Sequence, residues 1–283
     1  MNQEVTIIIL AHKSKKLVMN YIKNLYKKIK IIIVDNSNDT ELELLVKNTY
    51  PGVSIHLISN NGYSDQINYG VKFVKTDFFL ISNPDVQGID EISIKSFVEA
   101  AKQLNNKFSV LGPRYLDVNP KSLKQSKSND SIAEMRFLSG ACMFFNKKNY
   151  DLIGGFDSDF FLYFEENDYC LRSKKFFKNY QINMIKVYHD AGNSVMSKNE
   201  HEVNDQRDLR SWHFVWSKFH YYNKNYGFFF AIIFFIPIIL RTRLKIIYCS
   251  IINDKKNLIK YKNRWDGMKA SIMGKKSFKR PNF

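Results

Sequence analysis

The first 82 residues alternate between short apolar runs and longer helical stretches, and this alternation limits the fold more than any other feature. Strand-like runs rich in branched residues occupy residues 5–10, 31–34, 53–58 and 78–82. Helical spacing of apolar residues is found between them, over residues 16–27, 41–49 and 64–74. Strands that alternate with helices form a mostly parallel sheet. The chain is therefore predicted to be an α/β protein with helices flanking a mixed, mostly parallel sheet.

Polar residues follow each of these four strands. His12 comes after the first, Asp35 after the second, residues 60–62 after the third and Asp85 after the fourth. In such sheets ligands bind beyond the carboxyl ends of the strands. A single Asp after a strand is more often a turn or capping residue. The four positions together favour a ligand site.

Several function classes are disfavoured by missing motifs. The sequence has no GxGxxG after the first strand and no GxxxxGK[ST], so a dinucleotide enzyme or P-loop NTPase is not expected. The three cysteines are scattered, which argues against a disulfide framework or a zinc site and fits a reducing compartment. Residues 1–10 lead straight into a strand and show no signal-peptide pattern.

Residues 139–172 combine small residues, aromatic residues and acids in one run, SGACMFFNKKNYDLIGGFDSDFFLYFEENDYCLR. The aromatic side chains are predicted to wall off an apolar pocket that receives three carboxylates. They are Phe156, Phe160, Phe161, Tyr163 and Phe164, and the acids are Glu165, Glu166 and Asp168. A carboxylate beside apolar groups is a candidate general base. The alternative is that these acids only begin a helix.

Residues 139–172 resemble the GAC…GGFD…FxxYxEDxD block of family 2 glycosyltransferases, especially the bacterial rhamnosyltransferase-like branch. The runs VTIIILAHKS, IIIVDNSND, NNGYSDQINYG and LISNPDV are similar to the earlier motifs of that family, and the resemblance covers about residues 5–225. It implies a GT-A fold and an inverting, metal-dependent transfer from a nucleotide-diphosphate sugar, such as dTDP-rhamnose. The acceptor would be a hydroxyl of a glycan or lipid-linked molecule in cell-surface polysaccharide synthesis.

The resemblance also implies roles for individual residues. Donor binding falls to His12, Asp35, Asn60, Gly62, Asn68, Asn83 and Asp85, with Gly70 lining the same nucleotide pocket. Asp85, at the DxD position, and His189, before a GxS at residues 192–194, would hold Mg²⁺ or Mn²⁺. Glu166 would be the base, Glu165 its alternative, and Asp168 would orient the acceptor. Gly140, Ala141 and Phe164 would line the acceptor pocket.

Residues 117–134 are polar, and we expect them to form a mobile surface loop over the active-site edge. We expect a catalytic domain over residues 1–225 and an apolar, basic helical extension over residues 226–283. From Arg241 onward 13 Lys and Arg residues face two Asp, a net charge of +11 out of +16 for the chain.

The apolar run at residues 228–240 is too short to span a bilayer, which needs about 20 residues. Aromatic residues precede it and cations follow it, so an interfacial or re-entrant segment is favoured over a buried core helix. The expected location is the cytoplasmic face of the inner membrane, and nucleic acid is not an expected partner. The alternatives are a nucleotidyltransferase acting on sugar phosphates and a non-catalytic membrane or nucleic-acid binder.

Overall fold

The computed structural model describes residues 2–116, 125–189 and 200–281. The strands are β1 (Asn2–Ala11), β2 (Ile29–Asp35), β3 (Ser54–Leu57), β4 (Phe78–Ser82), β5 (Val86–Gln87), β6 (Val110–Tyr115), β7 (Ile132–Met135), β8 (Cys142–Asn146) and β9 (Asn179–His189). The helices are α1 (Lys15–Leu25), α2 (Thr40–Thr49), α3 (Tyr63–Val71), α4 (Glu91–Gln103), α5 (Lys147–Ile153), α6 (Glu165–Ser173), α7 (Glu200–Tyr226), α8 (Phe228–Ile251) and α9 (Lys255–Ile272). The four predicted N-terminal strands and the helices between them are all present.

The strands of the described residues form one sheet in the order β3-β2-β1-β4-β8-β6-β9-β5, and β7 also pairs with β9. Strands β3, β2, β1 and β4 are mutually parallel, as are β6 and β9. Because α1 to α3 connect the N-terminal strands, the carboxyl ends of β1 to β4 lie at one edge. The predicted mixed, mostly parallel sheet with flanking helices is confirmed.

Alternate residues of the strands enter two different hydrophobic cores. Ile7 and Phe144 belong to the core on one face of the sheet, and Ile8 and Phe145 to the core on the other. This is the period-2 alternation of a strand that is covered on both faces. The sheet is thus a rigid support for the loops at its edge.

Gly70 serves the packing of α3 on the sheet. A Cβ at this position would lie 2.8 Å from Cγ2 of Ile8 and 3.0 Å from Cγ2 of Val34. Only glycine lets the helix come this close to β1 and β2. This packing accounts for the glycine, and the nucleotide-pocket role predicted for Gly70 stays a prediction.

Part of the predicted mobile loop, residues 125–134, is ordered against the sheet. Strand β7 pairs antiparallel with β9, and the buried Gln125 Nε2 donates to the carbonyl of Tyr115 at 3.0 Å. The amide of Ser126 donates to Gln181 Oε1 at 3.0 Å. These polar side chains satisfy backbone groups at the sheet edge, so a polar composition here does not mean a mobile loop. The rest of the prediction, residues 117–124, lies outside the described residues.

The chain forms two compact units. The first comprises Met1–Asp157 and Glu166–Met196, and the second comprises Ser158–Glu165 and Ser197–Phe283. In the second unit, α7 packs along both α8 and α9, and Phe219, Phe235 and Met268 share one core. The unit therefore begins before the expected boundary at residue 226, because the buried face of α7 contacts the helices that follow it.

The apolar run at residues 228–240 is the first half of the continuous helix α8, which carries Pro237 in its interior. The same helix continues through Arg241, Arg243 and Lys245. Among the described residues, none of the helices combines the length and hydropathy that crossing a membrane requires.

Candidate active site

Two loops meet at the carboxyl end of β4. The backbone N–H of Asn83 donates to the carbonyl of Ala141 at 2.8 Å, which extends the pairing of β4 with β8 past its last residue pair. The hydroxyl of Tyr63 lies 2.9 Å from Oδ1 of Asn83 and 2.8 Å from the carbonyl oxygen of Gly140. Tyr63 thus connects the NPD segment to the SGA segment. Its position inside the NNGYSDQ run was the only signal that could have identified it.

Glu166 lies directly over Gly140. A Cβ built on Gly140 would be 3.6 Å from Cβ of Glu166 and 3.8 Å from its carboxyl carbon. Because α6 begins at Glu165, both Glu165 and Glu166 lie in its first turn, where the helix dipole favours acids, and both are buried. The structure therefore brings together the predicted base, the small residue Gly140 and, through Tyr63, Asn83.

The two residues before α6 have left-handed backbones. Tyr163 has φ +70° and Phe164 has φ +68°, a region that side chains other than Gly, Asn and Asp rarely occupy. Each such residue costs on the order of 1–3 kcal/mol and persists only where its surroundings impose it. Both residues come directly before the first turn of α6, which carries Glu165 and Glu166.

Asp168 forms a buried ion pair within α6. Its Oδ2 accepts a hydrogen bond from Nε of Arg172 at 2.7 Å, and the carboxylate is 0% exposed. Arg172 also donates to the carbonyls of Ile153 at 3.1 Å and Gly155 at 2.7 Å. This contact links α6 to the turn after α5. It gives Asp168 an anchoring role, and the predicted contact with an acceptor stays a prediction.

Asp85 and His189 lie side by side, although 103 residues separate them in the sequence. Asp85 Oδ1 is 3.4 Å from His189 Nε2, because Val86 pairs with His189 between β5 and β9. Both carboxylate oxygens of Asp85 are buried, and within the described part of the chain neither accepts a hydrogen bond. An ionised carboxylate in such a place is costly unless a cation or donors compensate. A carboxylate beside an imidazole therefore fits a divalent-cation site. Residues 192–194 of the predicted GxS lie outside the described residues.

A polar network covers the carboxyl ends of β1 and β2. His12 Nδ1 lies 2.7 Å from Asn36 Oδ1, and Asn36 Nδ2 donates to Asn60 Oδ1 at 3.1 Å and to Gln66 Oε1 at 3.3 Å. Gln66 in turn donates to the carbonyls of Ala11 and Val34. Burial lowers the pKa of His12 in spite of the opposing effect of its hydrogen bond to Asn36, so its imidazole is neutral near pH 7. The network unites the predicted His12 and Asn60 with two residues that were not predicted, Asn36 and Gln66.

Asp35 is held by its own turn. One oxygen accepts from the N–H groups of Ser37 at 2.9 Å and Asp39 at 3.1 Å, and the hydroxyl of Ser37 lies 2.9 Å from the other. The carboxylate is 0% exposed. Asp39 itself caps α2 by accepting from the amide of Leu42. Asp35 therefore fixes the loop that follows β2, and its contact with a nucleotide stays a prediction.

Asn68 and Gly62 have local structural roles as well. The side chain of Asn68 accepts from the amide of Phe156 at 3.1 Å and from Tyr150 at 2.7 Å, and it donates to the carbonyl of Phe156 at 2.8 Å. Gly62 begins α3 with φ +109°, which only glycine adopts without strain. These hydrogen bonds account for the side chain of Asn68, and its predicted contact with the donor stays a prediction.

The five predicted aromatic residues belong to both units of the chain. Phe156 packs into a core of the sheet, 4.8 Å from the ring of Tyr169. In the other unit, Phe161 stacks on His213 at 4.6 Å and Phe164 lies 5.6 Å from the ring of Tyr221. Phe156 thus packs within the first unit and Phe161 and Phe164 pack within the second, and the apolar pocket predicted from this run stays a prediction.

The chain is similar to several known glycosyltransferases, in sequence to one and in fold to others. The chain is 26% identical over 235 residues to the low-salt glycan biosynthesis hexosyltransferase Agl10 of Haloferax volcanii, covering 73% of this chain and 72% of that protein. The fold is similar to the mannosyltransferase PcManGT of Pyrobaculum calidifontis in complex with GDP-Man and Mn²⁺, with TM-score 0.58 and 12% identity, covering 96% of this chain and 88% of that one. It is also similar to GalNAc-T7 with UDP, GalNAc and Mn²⁺, with TM-score 0.55 and 11% identity over 65% of this chain and 43% of that one.

The structural neighbours are GT-A glycosyltransferases, so the predicted GT-A fold is confirmed. The family model "Glycosyl transferase family 2" matches residues 6–180, which begins within β1 and includes β2 to β8 and the acids of α6. This result favours a glycosyltransferase over the nucleotidyltransferase and the non-catalytic binder that the sequence had left open. The chain belongs to glycosyl transferase family 2.

Proposed function

We propose that this chain transfers a sugar from a nucleotide diphosphate to an acceptor hydroxyl with inversion, and that Glu166 is the base. The observation that supports this most strongly is the chain of contacts from Glu166 through Gly140 and Tyr63 to Asn83. Asn83 is two residues before Asp85, so the proposed base and the proposed diphosphate site share one connected loop edge. Such an arrangement suits a single displacement, in which base and leaving group act together.

In this proposal, Asp85 and His189 hold a divalent metal. The buried carboxylate oxygens of Asp85 and the neighbouring Nε2 of His189 supply suitable ligand atoms. Bound there, Mg²⁺ or Mn²⁺ would neutralise charge on the departing diphosphate. Glu166 takes the proton of the attacking hydroxyl. Its side chain is buried against Gly140, which limits where the carboxylate can lie.

The nucleoside is assigned to the network at the ends of β1 and β2. His12, Asn36 and Asn60 carry side-chain donors and acceptors there, and the turn held by Asp35 closes its edge. The donor sugar is a hexose or deoxyhexose, with dTDP-rhamnose the donor that the sequence resemblance favours. The relative Agl10 is a hexosyltransferase of glycan biosynthesis, which supports a hexose and a glycan acceptor, free or lipid-linked.

We further propose that the catalytic residues belong to residues 1–225 and that the helical extension from residue 226 attaches the enzyme to the cytoplasmic face of a membrane. The net charge of +11 from Arg241 onward and the exposed apolar residues of α8 support this attachment. The membership of glycosyl transferase family 2 does not depend on this proposed attachment.

A donor screen tests the proposed reaction. The full chain is incubated with nucleotide sugars that carry dTDP, UDP or GDP, with Mg²⁺, Mn²⁺ or chelator, and release of the nucleoside diphosphate is measured. We expect release with one nucleotide class, dependent on metal and increased by a glycan acceptor. Release that persists in chelator, or that survives replacement of Asp85 by Ala, would refute the metal-dependent reaction.

A further inference from the structure

A basic cavity lies among α7, α8 and α9 of the second unit. Its volume is about 350 Å³, and three cationic side chains line it together with apolar residues. The cations are Lys218, Arg241 and Arg264, and the apolar residues include Val215, Pro237 and Ile238. Its described lining contains no acidic residue. A cavity of this size and composition can bind an anionic group with an apolar neighbour.

The three cations lack carboxylate partners among the described residues. Lys218 Nζ lies 5.3 Å from the centre of the Phe234 ring, and the guanidinium of Arg264 lies 5.7 Å from that of Tyr261. The Nε of Arg264 is buried and has no hydrogen-bond acceptor in the described part of the chain. Burial lowers the pKa of Lys218. An anion in the cavity would compensate all three groups.

An exposed apolar stripe runs along α8 beside the cavity. It consists of Phe229, Ile233, Ile236, Leu240, Leu244, Ile247 and Ile251, at intervals of three or four residues. Phe229 is 83% exposed and Ile251 is 78% exposed. At 3.6 residues per turn these side chains share one face about 33 Å long. Pro237 and Arg241 of the cavity come next around the helix, so the stripe and the cavity are neighbours.

We propose that this cavity binds the phosphate group of an anionic membrane phospholipid while the stripe on α8 contacts its acyl chains. The inference rests on the proposed membrane attachment and identifies its site. The cations match a phosphate, and seven exposed apolar side chains match hydrocarbon. A nucleic acid would match the charge but would leave the apolar stripe in water.

The test measures binding of the full chain to vesicles by flotation. One vesicle contains phosphatidylcholine alone and the other contains phosphatidylglycerol in addition, and inorganic phosphate is added as a competitor. The test variant replaces Lys218 and Arg264 with Gln. The matched control replaces Lys262 and Lys269 with Gln. These two exposed lysines of α9 lie outside the cavity lining, so the control loses the same charge. Thermal unfolding checks that each variant folds.

We expect the chain to bind the anionic vesicles, and the cavity variant to bind about tenfold more weakly, at least about threefold below the control. Equal losses in the two variants would overturn the cavity site and leave membrane attachment intact. No binding of the unchanged chain to either vesicle would overturn attachment itself, and glycosyl transfer is measured separately. Displacement by low millimolar inorganic phosphate, or equal binding to both vesicles, would overturn the phospholipid assignment.

A second variant keeps the test decisive if the double variant does not fold. Arg241 is exposed on the surface of α8, so Arg241→Gln removes a cavity cation at little cost in packing. We expect it to weaken binding to anionic vesicles more than Lys269→Gln does. Equal binding by these two variants would contradict the proposal.

Discussion

Tyr63 contacts two motifs, at Asn83 and Gly140, which have 56 residues between them in the sequence. The Tyr63 hydroxyl lies within hydrogen-bond distance of two acceptors, Asn83 Oδ1 at 2.9 Å and the Gly140 carbonyl oxygen at 2.8 Å. The residues of the candidate site therefore fix one another's positions through direct contacts. The side chain of Glu166, packed on Gly140, has its position fixed by the same contacts.

The assignment of the base is tested by Glu166→Gln. The amide keeps the shape of the side chain but cannot take the acceptor's proton, so we expect turnover to fall by about 10² to 10⁴. Donor affinity should change little, because the loss is confined to the transition state. Initial rates of nucleoside diphosphate release and donor binding by calorimetry measure the two effects. Glu165→Gln is the neighbouring control, and an active Glu166→Gln with an inactive Glu165→Gln would move the base by one residue.

The proposed metal ligands are tested by comparing Asp85→Ala with His189→Ala. We expect Asp85→Ala to abolish transfer and the metal dependence of donor binding, since it removes the buried carboxylate. His189→Ala should be milder, because water can replace an imidazole ligand. Calorimetric titration of the donor with and without Mn²⁺ distinguishes them. An unchanged metal dependence in Asp85→Ala would exclude this carboxylate as a ligand.

At the scale of elements, β1 to β4 could be predicted because their apolar runs are buried and alternate with helices. Strand β8 is not evident in the sequence, since its five residues form only the short apolar part of a run otherwise rich in small and polar residues. Strand β7 is not evident either, because Ile132–Met135 follows a polar segment. His189 could be assigned beside Asp85 only through a family resemblance, since the β5–β9 pairing that joins them is not evident from two residues of β5. Short strands and long-range hydrogen bonds depend on tertiary partners, which sequence periodicity does not report.

Helix α6 depends on the ion pair between Asp168 and Arg172, and Asp168→Ala tests whether that residue is an anchor. We expect a loss of about 2–3 kcal/mol in the free energy of unfolding, because a buried pair is broken while Arg172 is only partly exposed. Asp151→Ala is the control, since its pair with Lys147 has the same i,i+4 spacing at the surface and should cost below about 1 kcal/mol. Urea unfolding measures both. Equal stability of the two variants would leave Asp168 without an anchoring role.

At the scale of the whole molecule, the proposed chemistry and the proposed attachment are assigned to different parts of the chain. The first unit contains the sheet edge with Asp85 and Glu166, and the second contains three long helices with the basic cavity. The second unit also contains all three tryptophans, Trp212, Trp216 and Trp265. Tryptophan fluorescence therefore reports the unfolding of the second unit separately from the loss of the active site.

This fluorescence signal tests a pH dependence that arises from His213. The imidazole is buried between Ser277 and Lys279, 3.0 Å from the hydroxyl of the first and 2.9 Å from the carbonyl of the second, and it stacks on Phe161. Burial lowers its pKa from 6.5 to about 4. The unfolded chain therefore binds a proton near pH 6.5 that the folded chain refuses until about pH 4. The stability that this group contributes is complete above pH 6.5 and is lost as the pH falls below it.

Between about pH 7 and pH 5 the free energy of unfolding falls by about 2 kcal/mol, because pH 5 lies about 1.5 pH units below the ordinary pKa of the imidazole. His213→Gln cannot titrate, so we expect its stability to fall by about 2 kcal/mol less than that of the unchanged chain over this interval. Urea unfolding followed by tryptophan fluorescence at both pH values measures the difference. His201→Gln, at the exposed start of α7, is the control and should keep the full pH dependence. If His213→Gln lost as much stability on acidification as the unchanged chain, the buried imidazole would not be the titrating group.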